Sequence, residues 1–282
     1  MPNGPVIVPL DGSSVAENAL PLARIVADYF KSNIRIIRVI DPGELARVAD
    51  IGKATAEFAE YALERAAQAG IDASRCTAEL IDGSPASAIL ADAEKQRAEA
   101  IVIASHGRSG FKAAVVGSVA DKVVRAATVP VLVVPGTRGV ANQISKVLVT
   151  LDGSKTSERA LPLARGIAAA ANAPITLFEA YSIIPPGSSG YEFYVPEALD
   201  TVGEGPREYL KSVAREGEEI AVAQGDAATA VVNAAASLDA DLVVMAASGK
   251  GLAGRLFLGS TTDRVLHSLH RPLLIVRPPE ED

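Results

Sequence analysis

The sequence predicts an α/β protein of two tandem doubly wound domains, each a five-stranded, mostly parallel sheet with helices on both faces. The first observation is a repeat, because VIVPLDGSSVAENALPLAR at residues 6–24 recurs as VLVTLDGSKTSERALPLAR at 147–165. The second is length, since 282 residues suit two domains that each bury a core. The third is the alternation of strands with helices, which implies right-handed crossovers between parallel strands.

The first half opens with an apolar strand over residues 6–10 that ends in Asp11-Gly12-Ser13. Ser14 is positioned to cap a helix that runs to residue 29 and buries an apolar stripe against the sheet. Pro21 lies near the start of this helix, where a proline is tolerated but can introduce a kink. A second apolar strand follows over residues 34–40.

The remaining elements of the first half alternate in the same way. Periodicity predicts a helix over residues 53–69, a strand over 77–81, a helix over 85–94 and a strand over 100–104. A glycine-containing loop then leads into another amphipathic helix. A short apolar strand at 131–134 ends the half, and its counterpart in the second half is 273–276.

Composition bounds the function classes. The chain is 49% apolar and 22% charged with a net charge of −7, and without a basic cluster it is a poor partner for nucleic acid or an anionic membrane. Cys76 is the single cysteine, which excludes an intrachain disulfide and a cysteine zinc site. Because no secretory signal and no membrane-spanning apolar run occur, we expect a soluble, cytoplasmic protein.

Turn-forming residues divide the chain into a first domain at 1–138, a linker at 139–145 and a second domain at 146–282. The second domain carries an insertion over residues 185–206 that is rich in Gly, Pro and Ser but includes Tyr191, Phe193 and Tyr194. These aromatic residues indicate either a loop packed on its own domain or a lid over a ligand or a partner surface.

Two glycine loops are the strongest functional signal. In residues 104–118 and 246–260, an apolar run meets Gly107 or Gly249, and nine residues later Gly-Ser begins an amphipathic segment. A loop of this kind presents backbone N–H groups to an anion, with the positive end of the following helix dipole behind it. The pattern therefore predicts phosphate binding at the two loops.

The Gly-x9-Gly-Ser spacing, found twice, resembles the nucleotide loop of the universal stress protein family, and the resemblance covers nearly the whole chain. It implies Rossmann-like domains whose strand order places a crevice between the first and fourth strands. It also implies an adenine nucleotide as ligand, namely ATP with magnesium. One departure is that Ala104 and Ala246 stand where the family pattern has its first glycine.

The resemblance assigns roles to matched residues of the two halves. Asp11 and Asp152 accept hydrogen bonds from a sugar hydroxyl or the adenine amino group, or else only stabilise the Asp-Gly-Ser turn. Side chains near the strand ends either contact adenine or pack in the core, and Arg108 and Lys250 either meet phosphate or remain solvated. The candidate nucleotide-binding residues are Pro9, Asp11, Val39, Ala104, Gly107, Arg108, Gly117, Ser118, Val119, Thr150, Asp152, Ala180, Ala246, Gly249, Lys250, Gly259, Ser260 and Thr261.

Other motifs do not support a different chemistry. His267 and His270 lie three residues apart on a predicted helix without a third ligand, so we expect no metal site. The G-x-G-x-x-G at residues 249–254 follows a fourth strand instead of a first, which argues against a dinucleotide fingerprint. No constellation of nucleophile and base recurs in both halves, so we do not expect an enzyme, although slow ATP hydrolysis or self-phosphorylation remains open.

Three hypotheses follow. The first is an ATP-binding, nucleotide-responsive regulator of the stress response. The second is a nucleotide-independent interaction or chaperone-like protein, for which the two loop alanines are the main support, and the third is a weak ATPase. The two terminal strands would be exposed apolar edges in separate domains, so we expect them to pair in an internal pseudo-dimer. A further homodimer and the identity of a protein partner remain open.

Overall fold

The computed structural model describes residues 4–105, 116–136, 143–182, 203–247 and 258–277. The strands of the first half are β1 (Val6–Pro9), β2 (Ile34–Ile40), β3 (Cys76–Asp82), β4 (Ala100–Ala104) and β5 (Val131–Val134). Those of the second half are β6 (Val147–Leu151), β7 (Ile175–Tyr181), β8 (Glu219–Gln224), β9 (Leu242–Ala246) and β10 (Leu273–Val276).

Helices cover the connections between these strands. The first half has α1 (Ser14–Glu17), α2 (Ala19–Phe30), α3 (Pro42–Leu45), α4 (Ile51–Gln68), α5 (Pro85–Lys95) and α6 (Ser118–Ala126). The second half has α7 (Lys155–Glu158), α8 (Leu161–Ala171), α9 (Glu204–Val213), α10 (Ala227–Ser237) and α11 (Ser260–Ser268).

The ten strands form one continuous sheet in the order β3-β2-β1-β4-β5-β10-β9-β6-β7-β8. Within each half all described pairings are parallel, as in β1 with β2 and β4 with β5. The two halves join through β5 and β10, which run antiparallel with Leu274 opposite Leu132. This pairing confirms the predicted internal pseudo-dimer contact, and it removes two apolar strand edges from water.

Apolar cores lie on both faces of the sheet, which confirms the doubly wound prediction. One core packs α2 and α8 against the sheet, and the other packs α5, α6, α10 and α11 against the opposite face. The two halves also touch through α2 and α8. At this contact a Cβ added to Gly166 would lie 1.8 Å from Cε2 of Tyr29, so the glycine provides the space that the ring occupies.

The predicted helix over residues 14–29 is broken at Asn18 into α1 and α2. Pro21 has no N–H to donate to the carbonyl of Glu17, and the interruption falls there, as a proline near the helix start predicts. The predicted cap was one residue late, because the side chain of Ser13, rather than that of Ser14, accepts a hydrogen bond from the Ala16 N–H.

The structure describes parts of two segments for which the sequence predicts no regular structure. Residues 143–145 of the predicted linker include Ile144, which is buried in a core, whereas residues 137–142 lie outside the described part. The last residues of the predicted 185–206 insertion open α9 instead. The aromatic residues of the insertion, Tyr191, Phe193 and Tyr194, lie outside the described residues.

Candidate functional site

A cavity of about 290 Å³ lies in the first half, at the carboxyl ends of β1, β2 and β4. The strand order reverses between β1 and β4, and parallel α/β sheets bind ligands in the crevice at such a point. Its walls combine apolar side chains with a few polar groups, as small-molecule sites do. The lining residues are Pro9, Leu10, Asp11, Ala16, Val39, Asp41, Glu44, Pro85, Ile89, Ile103, Ala104, Ser105, Gly117, Ser118, Val119 and Ala120.

The Asp-Gly-Ser turn after β1 forms one wall. The carboxylate oxygen Oδ1 of Asp11 accepts hydrogen bonds from the backbone N–H of Ser13 at 3.0 Å and from its hydroxyl at 2.6 Å. Gly12 permits the turn because its φ is 83°, in the left-handed region. Asp11 therefore stabilises the turn and lines the cavity, so the two roles predicted for it are compatible.

The start of α6 forms the opposite wall. Gly117 is the N-cap residue, and its N–H donates to the Ser105 carbonyl at 2.6 Å, which fixes the helix start against the end of β4. Its φ of −64° is one that any residue can adopt, so the backbone angle does not require glycine here. The lack of a side chain instead leaves space in the cavity. Ser118 is the first residue of α6, where N–H groups lack intrahelical partners.

The short helix α3 closes the cavity beside β2, and the sequence reasoning missed it. Asp41 caps α3 by accepting from the N–H groups of Gly43 and Glu44 at 2.8 and 2.9 Å. Glu44 forms an ion pair with Arg38 of β2 at 2.5 Å. An acidic cap before Pro42 was the available signal, since Asp at the N-cap and Pro at the first helical position start helices.

The structure brings most of the first-half candidates to one place. Seven of them line the cavity: Pro9, Asp11, Val39, Ala104, Gly117, Ser118 and Val119. Gly107 and Arg108 lie outside the described residues. Whether any of the seven contacts a nucleotide stays a prediction.

The second-half candidates lie at the matching strand and helix ends. Thr150 is buried in β6, Asp152 follows that strand, Ala180 is in β7 and Ala246 ends β9. Gly259 caps α11, which begins with Ser260 and Thr261. The Gly259 backbone has a φ of 76°, unlike Gly117, so the two helix starts differ in conformation. Gly249 and Lys250 lie outside the described residues.

Two carboxylates, Asp152 and Glu179, lie at neighbouring strand ends of the second half. Burial raises the pKa of Asp152, but hydrogen bonds from Ser154 and Ser157 lower it by more, so the net pKa lies below its usual value. Burial, and secondarily the charge of Asp152, raise the pKa of Glu179. One oxygen of Glu179, Oε2, is buried without a hydrogen-bond partner among the described residues. The matching residue of the first half is Arg38, so these two positions carry side chains of opposite charge.

Within the described ranges, no group of three or more His, Cys, Asp or Glu side chains is arranged to hold a metal ion. His267 instead contacts the Asp263 carbonyl through Nδ1 at 2.8 Å. A search of the described helices finds none that is both long and apolar enough to cross a membrane.

The fold and the cavity define a tandem doubly wound α/β protein with a ligand-sized crevice at the topological switch point of its first half. The chain belongs to the universal stress protein family: the family model matches residues 2–135 and again 143–277.

Curated relatives match one half at a time. A universal stress protein of Thermus aquaticus, encoded in a sulfhydrylase 3′ region, is 32% identical over 133 residues, 46% of this chain and 97% of its own length. The Bacillus subtilis universal stress protein YxiE is 30% identical over 146 residues, 46% of this chain and 97% of its own length.

Solved structures match the whole tandem fold. A universal stress protein from Archaeoglobus fulgidus has a TM-score of 0.66 and 22% identity, covering 100% of this chain and 98% of its own. A functionally unknown protein from Pseudomonas aeruginosa has a TM-score of 0.72 and 18% identity, covering 98% and 93%. At these identities the likeness concerns the fold.

Proposed function

We propose that the first-half cavity binds an adenine nucleotide, with ATP as the expected ligand, and that the protein is a nucleotide-responsive regulator. The observation that carries this proposal is the convergence on one cavity of seven residues that the resemblance to the family assigns to nucleotide binding. They come from three strand ends and a helix start that are distant in sequence. Such convergence at a switch point is the expected arrangement of a nucleotide crevice.

The two walls suit the two ends of a nucleotide. The N–H groups at the start of α6, beside Gly117 and Ser118, suit phosphate because helix N-termini favour anions. The apolar side chains of Val39 and Ile103 suit the flat faces of a base. A phosphate placed at the β2 side would instead meet the carboxylates of Asp41 and Glu44.

Magnesium would accompany the phosphates of ATP. Mg²⁺ prefers oxygen ligands and is usually held by phosphate oxygens with one or two protein oxygens. Asp11 and Ser118 supply such oxygens in the cavity walls. We therefore expect metal binding to require the nucleotide, since the described residues offer no cluster of three ligands.

We propose the same ligand for the second half, where Ser260 and Thr261 offer hydroxyl groups at the start of α11. At the strand end of β7 the second half has Glu179, whose Oε2 is buried without a hydrogen-bond partner among the described residues, where the first half has Arg38. We therefore expect the two halves to bind with different affinity.

A regulatory role is preferred to an enzymatic one because no pairing of a nucleophile with a base recurs in both halves of the sequence. The first test is to denature purified protein, identify any nucleotide released, and titrate the nucleotide-free protein with ATP and magnesium by calorimetry. Binding without turnover of ATP to ADP over hours supports a regulator. Rapid turnover would support an ATPase, and absence of both released nucleotide and binding heat would refute nucleotide binding.

A further inference from the structure

The α3 carboxylates occupy a part of the cavity for which the nucleotide-loop pattern gives no role. Asp41 directly follows β2, and Glu44 lies one turn later. Both line the cavity, whereas the matching position of the second half carries Ser182, whose hydroxyl donates to the Gly225 carbonyl at 3.2 Å. The first half therefore has an acidic feature that its repeat lacks.

Strand spacing places Asp41 and Glu44 on the side of the cavity opposite the proposed phosphate wall at the start of α6. The proposed phosphate wall follows β4, and β1 separates β4 from β2. Neighbouring strands lie about 4.8 Å apart, so the ends of β4 and β2 are about 10 Å apart. A nucleotide with its phosphate at Gly117 would reach across β1 with its sugar and bring the edge of its base to Asp41 and Glu44.

The chemistry of α3 favours a hydrogen-bond donor on that base edge. An ionised carboxylate only accepts hydrogen bonds. The Oδ1 atom of Asp41 is used by the N–H groups of Gly43 and Glu44, whereas Oδ2 accepts no hydrogen bond from the described part of the chain. Glu44 is held by Arg38, so α3 is anchored to β2 and keeps Asp41 in place.

We propose that Asp41 determines base specificity in the first half by accepting a hydrogen bond from the exocyclic amino group of adenine, with the Arg38–Glu44 ion pair positioning α3. This inference rests on the proposed nucleotide site. A base with a carbonyl oxygen in place of that amino group would point an acceptor at a carboxylate. Two acceptors that face each other without a donor lower ligand affinity more than the loss of an apolar contact does.

The test compares ATP with ITP, whose base carries oxygen where adenine carries the amino group. Affinities are measured by calorimetry with magnesium on the full chain, and the first-half site is identified as the one that Gly117→Val removes. Wild type should prefer ATP by about tenfold or more. Asp41→Asn should abolish or invert this preference, because its amide oxygen can still cap α3 while its NH₂ group donates to the ITP oxygen.

Asp50→Asn is the matched control. Asp50 caps α4 by accepting from the Lys53 N–H at 3.0 Å and does not line the cavity, so this variant should keep the wild-type ratio. Equal binding of ATP and ITP by wild type, or a ratio unchanged by Asp41→Asn, would overturn the role of Asp41 and leave nucleotide binding intact. If neither nucleotide binds, both the inference and the proposed function fail.

Discussion

Removing Asp92 should destabilise the first half more than removing its whole ion pair. The guanidinium of Arg35 donates to Asp92 through Nε at 2.8 Å and Nη2 at 2.9 Å, and their side chains are only 12% and 6% exposed. Among the described residues, Asp92→Ala leaves this buried cation with Glu79 as its acidic partner, and that side chain is 51% exposed. Breaking a buried pair from one side costs about 3–5 kcal/mol.

The second half provides the matched control. Its β7 and α10 carry Thr176 and Ala234 at the positions of Arg35 and Asp92, so that half packs without the pair. The double variant Arg35→Thr/Asp92→Ala should therefore cost no more than about 2 kcal/mol, because it removes the charge together with its partner. Urea denaturation followed by circular dichroism measures both variants. If the double variant were as unstable as Asp92→Ala, the loss of stability could not be due to the unpaired Arg35 guanidinium, and the reasoning would be refuted.

Three further predictions concern other buried groups. Glu179→Gln should raise the free energy of unfolding at pH 7. The Glu179 pKa is raised in the folded protein, so ionisation of this carboxyl as the pH rises destabilises the fold. In urea titrations at several pH values, the stability gained by the variant should vanish below about pH 4, where the carboxyl is protonated. Arg277→Met should lower the free energy of unfolding by about 1–3 kcal/mol in thermal denaturation, because the Arg277 guanidinium donates to two carbonyls at the end of α6. Arg271→Met removes an exposed ion pair and should cost under about 1 kcal/mol. Equal losses in the two variants would contradict this prediction. Burial raises the pKa of Cys76 to about 11, so iodoacetamide at pH 8 should label native protein at least about a hundredfold more slowly than urea-unfolded protein.

The strands and the joining of the halves were predictable because they depend on strong local signals. β4, β5 and β10 have the predicted bounds, since uninterrupted apolar runs flanked by turn residues leave little choice of register. The pairing of β5 with β10 was predicted from the need to cover two apolar edges, and the structure adds that the two strands run antiparallel. Because the two halves have similar sequences, each strand predicted in one half also predicted its counterpart in the other.

The sequence predicted part of the cavity lining, and nucleotide binding by these residues stays a prediction. Asp11, Gly117 and Ser118 were found because glycine spacing and a repeated Asp-Gly-Ser turn are visible in one dimension. Asp41 and Glu44 were missed because α3 is a single turn, too short for a hydrophobic period, and its place in the cavity depends on the order of β2, β1 and β4.

The most direct test of nucleotide binding in the first-half cavity is calorimetric titration of Gly117→Val with ATP and magnesium. Gly117 has a backbone conformation that valine can adopt, and it lines the cavity, so the added side chain would occupy the space beside the start of α6. Gly205→Val is the matched control, because a Cβ at Gly205 meets no atom within 4 Å. The account predicts that Gly117→Val loses one binding event while Gly205→Val binds as wild type does. Undiminished ATP binding by folded Gly117→Val would contradict it.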